Sequence, residues 1–303
     1  MGGPERQQDV TPFLTNLFSD RDIVRLGPPW LQKPLAHLIA HRRARHSRKM
    51  YEKIGGGSPL RAISEAQAMA LEKALASAGD YRVRTAMRYW HARAAEVLTE
   101  LKSFNPARLI ALPLYPHYSR TTTGSSLADL KRAKEKILPD TPMTVIEAWP
   151  DHPAYIAALA HSLEKGLRQC ENPRLLYSAH SLPQAVIDGG DLYLTHLRRT
   201  IAALEKATGI EGKLCFQSRG GPVRWLQPET GDVIDQCADA GEKEVLVMPI
   251  SFVSDHIETL YEIGILFHQR AAAHGMRLIA TTSLNTREDF IACLRDLTLS
   301  AQS

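Results

Sequence analysis

The stretch Leu246-Val247-Met248-Pro249-Ile250-Ser251-Phe252-Val253-Ser254-Asp255-His256-Ile257-Glu258-Thr259-Leu260-Tyr261-Glu262 decides how the rest of this sequence is read. An apolar, β-branched run breaks at Pro249, passes through small and polar residues, and resumes at helical spacing with Ile257, Leu260 and Tyr261. That is strand, loop, helix. In open α/β sheets ligands bind beyond the carboxyl ends of the strands, so this turn carries Asp255, His256 and Glu258 to where chemistry is usually done. A structural reading competes with the functional one, because Asp255-x-x-Glu258 is also a capping box.

Working outward, the alternation repeats. Apolar runs at residues 82–89, 109–114, 143–149, 175–178, 213–217, 245–250 and 277–281 predict seven strands. Helical spacing separates them at 92–104, 125–137, 153–170, 193–208, 230–240, 257–273 and 287–297. Strand-helix alternation gives parallel sheets covered on both faces by helices. Seven strands in 303 residues suit two doubly wound, Rossmann-like lobes, 1–149 and 150–303, the boundary falling where Pro150-Asp151 opens a new helix. Ahead of the first predicted strand lie a turn at Met1-Gly2-Gly3-Pro4, a helix carrying Val10, Phe13, Leu14, Leu17 and Phe18, and a helix from Pro29-Trp30. The latter gathers Leu31, Leu35, Leu38 and Ile39 on one face before turning basic through Arg42, Arg43, Arg45, Arg48 and Lys49. A glycine loop, Ile54-Gly55-Gly56-Gly57-Ser58-Pro59, follows; with no strand before it and no Lys-Ser/Thr at P-loop spacing, it is not a phosphate cradle.

A net charge of +4 is too mild for a general nucleic-acid binder. No run approaches the roughly 18 to 20 apolar residues that span a bilayer, and nothing resembles a signal peptide, so the reading is a cytoplasmic protein. Cys170, Cys215, Cys237 and Cys293 include no C-x-x-C pair and read as buried or free thiols rather than a disulfide framework.

Four strand ends carry unusual residues: the opening stretch, Tyr115-Pro116-His117-Tyr118-Ser119 running into Thr122-Thr123-Gly124-Ser125, Ser178-Ala179-His180-Ser181-Leu182-Pro183, and Gln217-Ser218-Arg219 leading to Trp225-Leu226. A single strand-end histidine is more often structural. Beside a second, acidic strand-end motif, His180 and Glu258 become candidates for one site.

These motifs, with Ile54-Gly55-Gly56-Gly57-Ser58-Pro59, Met87-Arg88-Tyr89-Trp90-His91 and Ser283-Leu284-Asn285, resemble in type and order the signatures of the ferrochelatase family, over nearly the whole chain. The resemblance implies insertion of ferrous iron into a porphyrin, in a cleft between two Rossmann-like lobes. It implies His180 as proton acceptor and Glu258 as the group steering metal or protons, with His256, Asp255 and Glu262 in support. Removing two pyrrole protons calls for a base largely neutral near pH 7, which imidazole, at about 6.5, provides. The resemblance also implies a porphyrin pocket of Arg88, Tyr115, Trp149, Trp225, Phe252 and Met1, with Arg43, Tyr51 and Ser58 toward the propionates; taken singly, each tryptophan would pass as packing.

Departures from the family pattern sharpen these expectations. Glu258 and Glu262 are followed at the same spacing by Leu266, so a row of carboxylates is shorter here. Relatives carry a strand before the Gly-Gly-Pro turn, so the sequence as given is expected to lack native residues upstream, to its cost in stability. With Arg120 where some relatives have cysteine, and no cysteine-bearing tail, no iron-sulfur cluster and no permanent cofactor is expected. The alternatives are a carrier that holds a tetrapyrrole without reacting it, and a chelatase for cobalt or coproporphyrin III; the Tyr115-to-Ser126 and Ile257-to-Glu262 motifs favour protoporphyrin IX. The 30–39 face with its basic neighbours is either an ordinary core face or a peripheral membrane contact.

Overall fold

The computed structural model describes residues 1–301. The chain forms two compact units, one of Met1–Pro113, Tyr118–Glu147 and the chain from Leu294 on, the other of Leu114–His117 and Ala148–Cys293.

In the first unit, helices α1 (Val10–Ser19) and α2 (Gln32–Glu52) pack together. Ala36, Ala40 and Ala44 are the buried residues of α2 at every fourth position, small enough to let the two backbones close. Leu31, Leu35 and Ile39 are only half-buried, while Leu38 and Trp30 stand 48% and 74% exposed, so this apolar face is not an ordinary core face. After α2 the glycine loop turns under the N-terminal segment: the Ser58 N–H donates to the Pro4 carbonyl, and a Cβ on Gly57 would meet the Glu5 carbonyl oxygen at 2.0 Å. Gly57 thus serves close backbone approach, while Gly55 and Gly56 supply left-handed backbone at φ +103° and +94°. Then come α3 (Leu60–Leu75), α4 (Ala94–Lys102), β1 (Leu109–Ala111), α5 (Ser125–Ile137) and β2 (Met143–Val145). β1 and β2 pair in parallel, and Leu98, Leu109 and Leu138 form the core beneath them.

The predicted strand at 82–89 is not one. Its N–H groups find acceptors outside any strand: Val83 N–H in the Glu72 carboxylate, Met87 N–H in the Ala92 carbonyl, Tyr89 N–H in the Met1 carbonyl. An extended, apolar segment whose donors are met by side chains and turns reads in sequence like a strand and joins no ladder. The sheet here is therefore two short strands.

The second unit carries the full parallel sheet. In chain order it runs α6 (Pro153–Leu167), β3 (Arg174–His180), α7 (Gln184–Asp188), α8 (Tyr193–Thr208), β4 (Lys213–Gln217), α9 (Thr230–Asp239), β5 (Glu244–Pro249), a π-helix (Glu258–Phe267), α10 (His268–Ala273), β6 (Arg277–Ala280) and α11 (Glu288–Ser300), the last counted with the first unit from Leu294. Strand order is β4-β3-β5-β6, every pair parallel. β3 and β5 are the central strands and read as near-continuous apolar runs because both faces are covered: Leu176, Tyr177, Val245, Leu246 and Val247 have no exposed surface. The order doubles back at β3, so β4 and β5 leave it on opposite sides, which opens a crevice at the carboxyl end of β3. All four cysteines are free thiols.

Candidate active site

His180 is the last residue of β3, and Glu258 the first of the π-helix that follows β5. They are not separated by a gap. The His180 Nδ1 lies 2.7 Å from Glu258 Oε2, both in the second unit. Glu258 does not cap its helix, since its carboxylate turns to His180; the Thr259 hydroxyl takes the His256 N–H instead, at 3.0 Å.

Ser218, one residue beyond β4, joins the pair. Its Oγ is 2.7 Å from Glu258 Oε2 and 2.7 Å from Glu262 Oε2. It adopts a left-handed backbone, φ +67°, which a non-glycine residue takes only where its surroundings over-determine it. Gln217, fixed by the Ser178 hydroxyl on Oε1, points its amide at the Glu258 carbonyl, 3.1 Å, and toward Glu262, 3.4 Å. One hydroxyl proton cannot serve two carboxylates at once. Either the carboxylates share it unevenly or one of them carries a proton of its own.

The electrostatics decide which. Burial works against the charge on Glu258, but His180, His256 and the Ser218 hydroxyl outweigh it and hold this carboxyl far below its ordinary value. Burial and the adjacent Glu258 charge push Glu262 up to about 7, so Glu262 is the one that holds a proton near neutrality. For His180, burial alone would lower the ring, and Glu258 and Glu262 overcome it, so the net shift is upward. Beside the Glu258 carboxylate the imidazole holds its proton more tightly than an ordinary histidine does. His256 shifts the other way, lowered by burial. Its Nδ1 donates to the Ser254 carbonyl at 3.2 Å, and its ring lies against Phe252, centroids 4.4 Å apart. Phe252 also meets the His180 ring edge-on at 6.4 Å.

Of the remaining candidates, Asp255 faces away from the pair, bonded to the Asn285 amide at 2.8 Å and to the Thr259 hydroxyl. Trp149 is 3% exposed and packs on Tyr155 and Phe290. Trp225 is half-buried and its Nε1 has no hydrogen-bond partner. Tyr115 is half-buried. In the first unit, Arg43 is exposed with its guanidinium over Phe18, Tyr51 is buried, Ser58 accepts the Leu60 N–H, and Met1 is half-buried. Arg88 is engaged by Asp20 and Ser125. Sequence reasoning quoted Ser218 in a motif but gave it no role. Its strand-end position was visible; its left-handed backbone and its place between two carboxylates were not. Among the described residues no three His, Cys, Asp or Glu side chains are arranged to hold a metal ion.

This arrangement can bind a cation transiently against Glu258 and exchange protons among His180, Ser218 and Glu262. In structure, the chain resembles SirB from Bacillus subtilis with Fe3+, at a TM-score of 0.60 and 12% identity, covering 80% of this chain and 90% of that one. That likeness, with the parallel sheets, defines a protein of the chelatase fold. In sequence, a family model for ferrochelatase matches residues 1–302. The ferrochelatase of Desulfotalea psychrophila is 54% identical over 303 residues, spanning 99% of this chain and 95% of that protein, and the ferrochelatase of Geotalea uraniireducens is 47% identical over 302 residues, spanning 98% and 94%. The chain belongs to the ferrochelatase family, lyases that insert iron into a porphyrin to make haem.

Proposed function

We propose that this chain inserts ferrous iron into protoporphyrin IX, with His180 accepting pyrrole protons and Glu258 handling metal and protons. The observation that carries this reading is the 2.7 Å His180–Glu258 contact at the end of a central parallel strand, with Ser218 and Glu262 behind it. The closeness of the pair gives the order of events. Iron arriving at Glu258 competes with His180 for the carboxylate, so the ring gives up any proton it holds to solvent and is free to accept one from a pyrrole nitrogen. Two pyrrole protons leave and one Fe2+ enters, so charge balances with no redox step and no resident cofactor. His256 supports the metal side, and Glu262, whose value of about 7 lets it exchange a proton near neutrality, passes protons on through the shared hydroxyl. Tyr115, Trp225 and Phe252 supply apolar surface for the macrocycle.

The test is purified protein with ferrous iron and either protoporphyrin IX or coproporphyrin III, followed by visible absorption. Faster insertion into protoporphyrin IX supports the reading; preference for coproporphyrin III overturns the substrate assignment. Porphyrin binding without insertion would make the chain a carrier.

No described helix is long and apolar enough to cross a membrane. The exposed Trp30 and Leu38, with Lys33, Arg42 and Arg45 also exposed on or beside the same helix, support peripheral contact with an anionic bilayer from the cytoplasmic side. Co-sedimentation with anionic liposomes that Trp30→Asp abolishes supports it; unchanged sedimentation of that variant refutes it.

A further inference from the structure

β5 stops pairing two residues before β3 ends. In a parallel ladder the N–H and C=O of a given residue point to the same neighbour, alternating along the strand. The Ile250 N–H donates to the Ser178 carbonyl, which puts the N–H and C=O of Ser178 and, two residues on, of His180 on the β5 side. The Ser181 N–H goes the other way, to Gln217. The β3–β5 register ends at Ser178 against Pro249, so β4 flanks His180 at Gln217 but no β5 residue meets its N–H and C=O.

Two hydroxyls take the place of the missing strand. The His180 N–H donates to Ser251 Oγ at 2.9 Å, and the Tyr193 hydroxyl donates to the His180 carbonyl at 2.9 Å. The two bonds fix one peptide residue at both its N–H and its C=O, the positions a neighbouring strand would otherwise hold. Tyr193 is 7% exposed, and its ring is held edge-on by His117 at 6.1 Å, itself anchored to Thr200 at 2.8 Å. This is more fixing than a strand end ordinarily receives, and it falls on the residue that bears the imidazole.

We propose that Tyr193 and Ser251 are positioning residues for His180, a hydroxyl clamp that stands in for the absent strand and fixes the ring against Glu258. The proposal rests on the reading of His180 as proton acceptor, and two measurements separate its failure from that reading's. The first is kinetic. Tyr193→Phe and Ser251→Ala are each expected to lower kcat for iron insertion about tenfold while porphyrin KM stays within about twofold, and Ser251→Thr, which keeps the hydroxyl, is expected to restore kcat. Placed in a His180→Ala background, Tyr193→Phe is expected to have no further effect. An equal loss in that background, or a rise in KM alone, overturns the proposal. The second needs no iron insertion: amide hydrogen exchange at His180 is expected to quicken at least tenfold in Tyr193→Phe while Leu176 and Tyr177 keep their protection. Unchanged His180 exchange overturns the clamp even if the protein proves a carrier.

Discussion

Two clusters of charge sit at comparable depth in the two units, and they differ in how completely they are satisfied. In the first, Asp20 Oδ2 receives the Arg88 guanidinium at 2.7 Å, the Tyr89 hydroxyl at 2.6 Å and the Ser125 hydroxyl at 2.7 Å. Burial opposes the Asp20 charge, and these donors overcome it, holding the carboxyl below its usual range. The Arg88 guanidinium also faces Asp129 at 3.8 Å, but no hydroxyl is divided between carboxylates and each donor around Asp20 has its acceptor. In the second, two carboxylates share one hydroxyl beside one imidazole, so the cluster carries a surplus proton or a surplus charge. A balanced cluster has nothing to exchange and holds its elements in place; an unbalanced one changes state when a cation or proton arrives.

The largest effects should separate the two clusters by kind. His180→Ala is expected to cut iron insertion by roughly 10²- to 10⁴-fold, the range typical of a lost acid-base group, while porphyrin binding read by absorbance persists. Comparable insertion by the variant would move the chemistry away from this pair. Asp20→Ala should do the reverse. It leaves the Arg88 guanidinium, 14% exposed, with only Asp129 at 3.8 Å, and the Tyr89 and Ser125 hydroxyls without their acceptor, at a cost of about 1–3 kcal/mol in stability, visible as a lower denaturation midpoint. Activity per folded molecule should change little; a large selective loss would show that the balanced cluster is functional too.

Smaller effects sharpen the electrostatic side. In Glu258→Gln the imidazolium loses its partner, so the His180 titration followed by NMR should move down toward the ordinary histidine value; an unmoved titration would mean the contact does not hold in solution. Glu262 gives the smallest effect and a definite sign. Its folded value, about 7, lies above the ordinary 4.5, so its contribution to stability is full below about 4.5 and is lost as pH rises through about 7. Glu262→Gln should therefore melt about 2–4 °C above the parent at pH 8, the shift that about 1 kcal/mol makes in a chain of this size, and lose that advantage by pH 5. An advantage independent of pH would refute the assignment of the proton to Glu262.

Much of this was legible from residues alone. The parallel α/β class follows from alternating apolar runs, and Leu246 to Glu262 reads directly as strand, turn and helix because period and punctuation are local properties of the chain. The identities of His180 and Glu258 as a candidate pair were legible for the same reason: each sits at the end of a strand or the start of a helix, and strand ends are where open sheets put their ligands. Residues 82–89 show where local pattern misleads, since an extended apolar segment does not announce whether a neighbour exists to pair with it. The π-helical turns at Arg120–Gly124 and Glu258–Phe267 were likewise hidden, because neither breaks the apolar spacing of an ordinary helix.

The sequence by itself therefore determined the order of elements, the fold class and which side chains were worth watching. Only the tertiary structure decided that the imidazole and the carboxylate touch, that Ser218 stands between two acids, and that the ring's hold on its proton is strengthened. Composition and spacing set what each segment can become, but a proton's affinity depends on charges a few ångströms away, and those arrive from residues 40 to 80 positions distant in the chain.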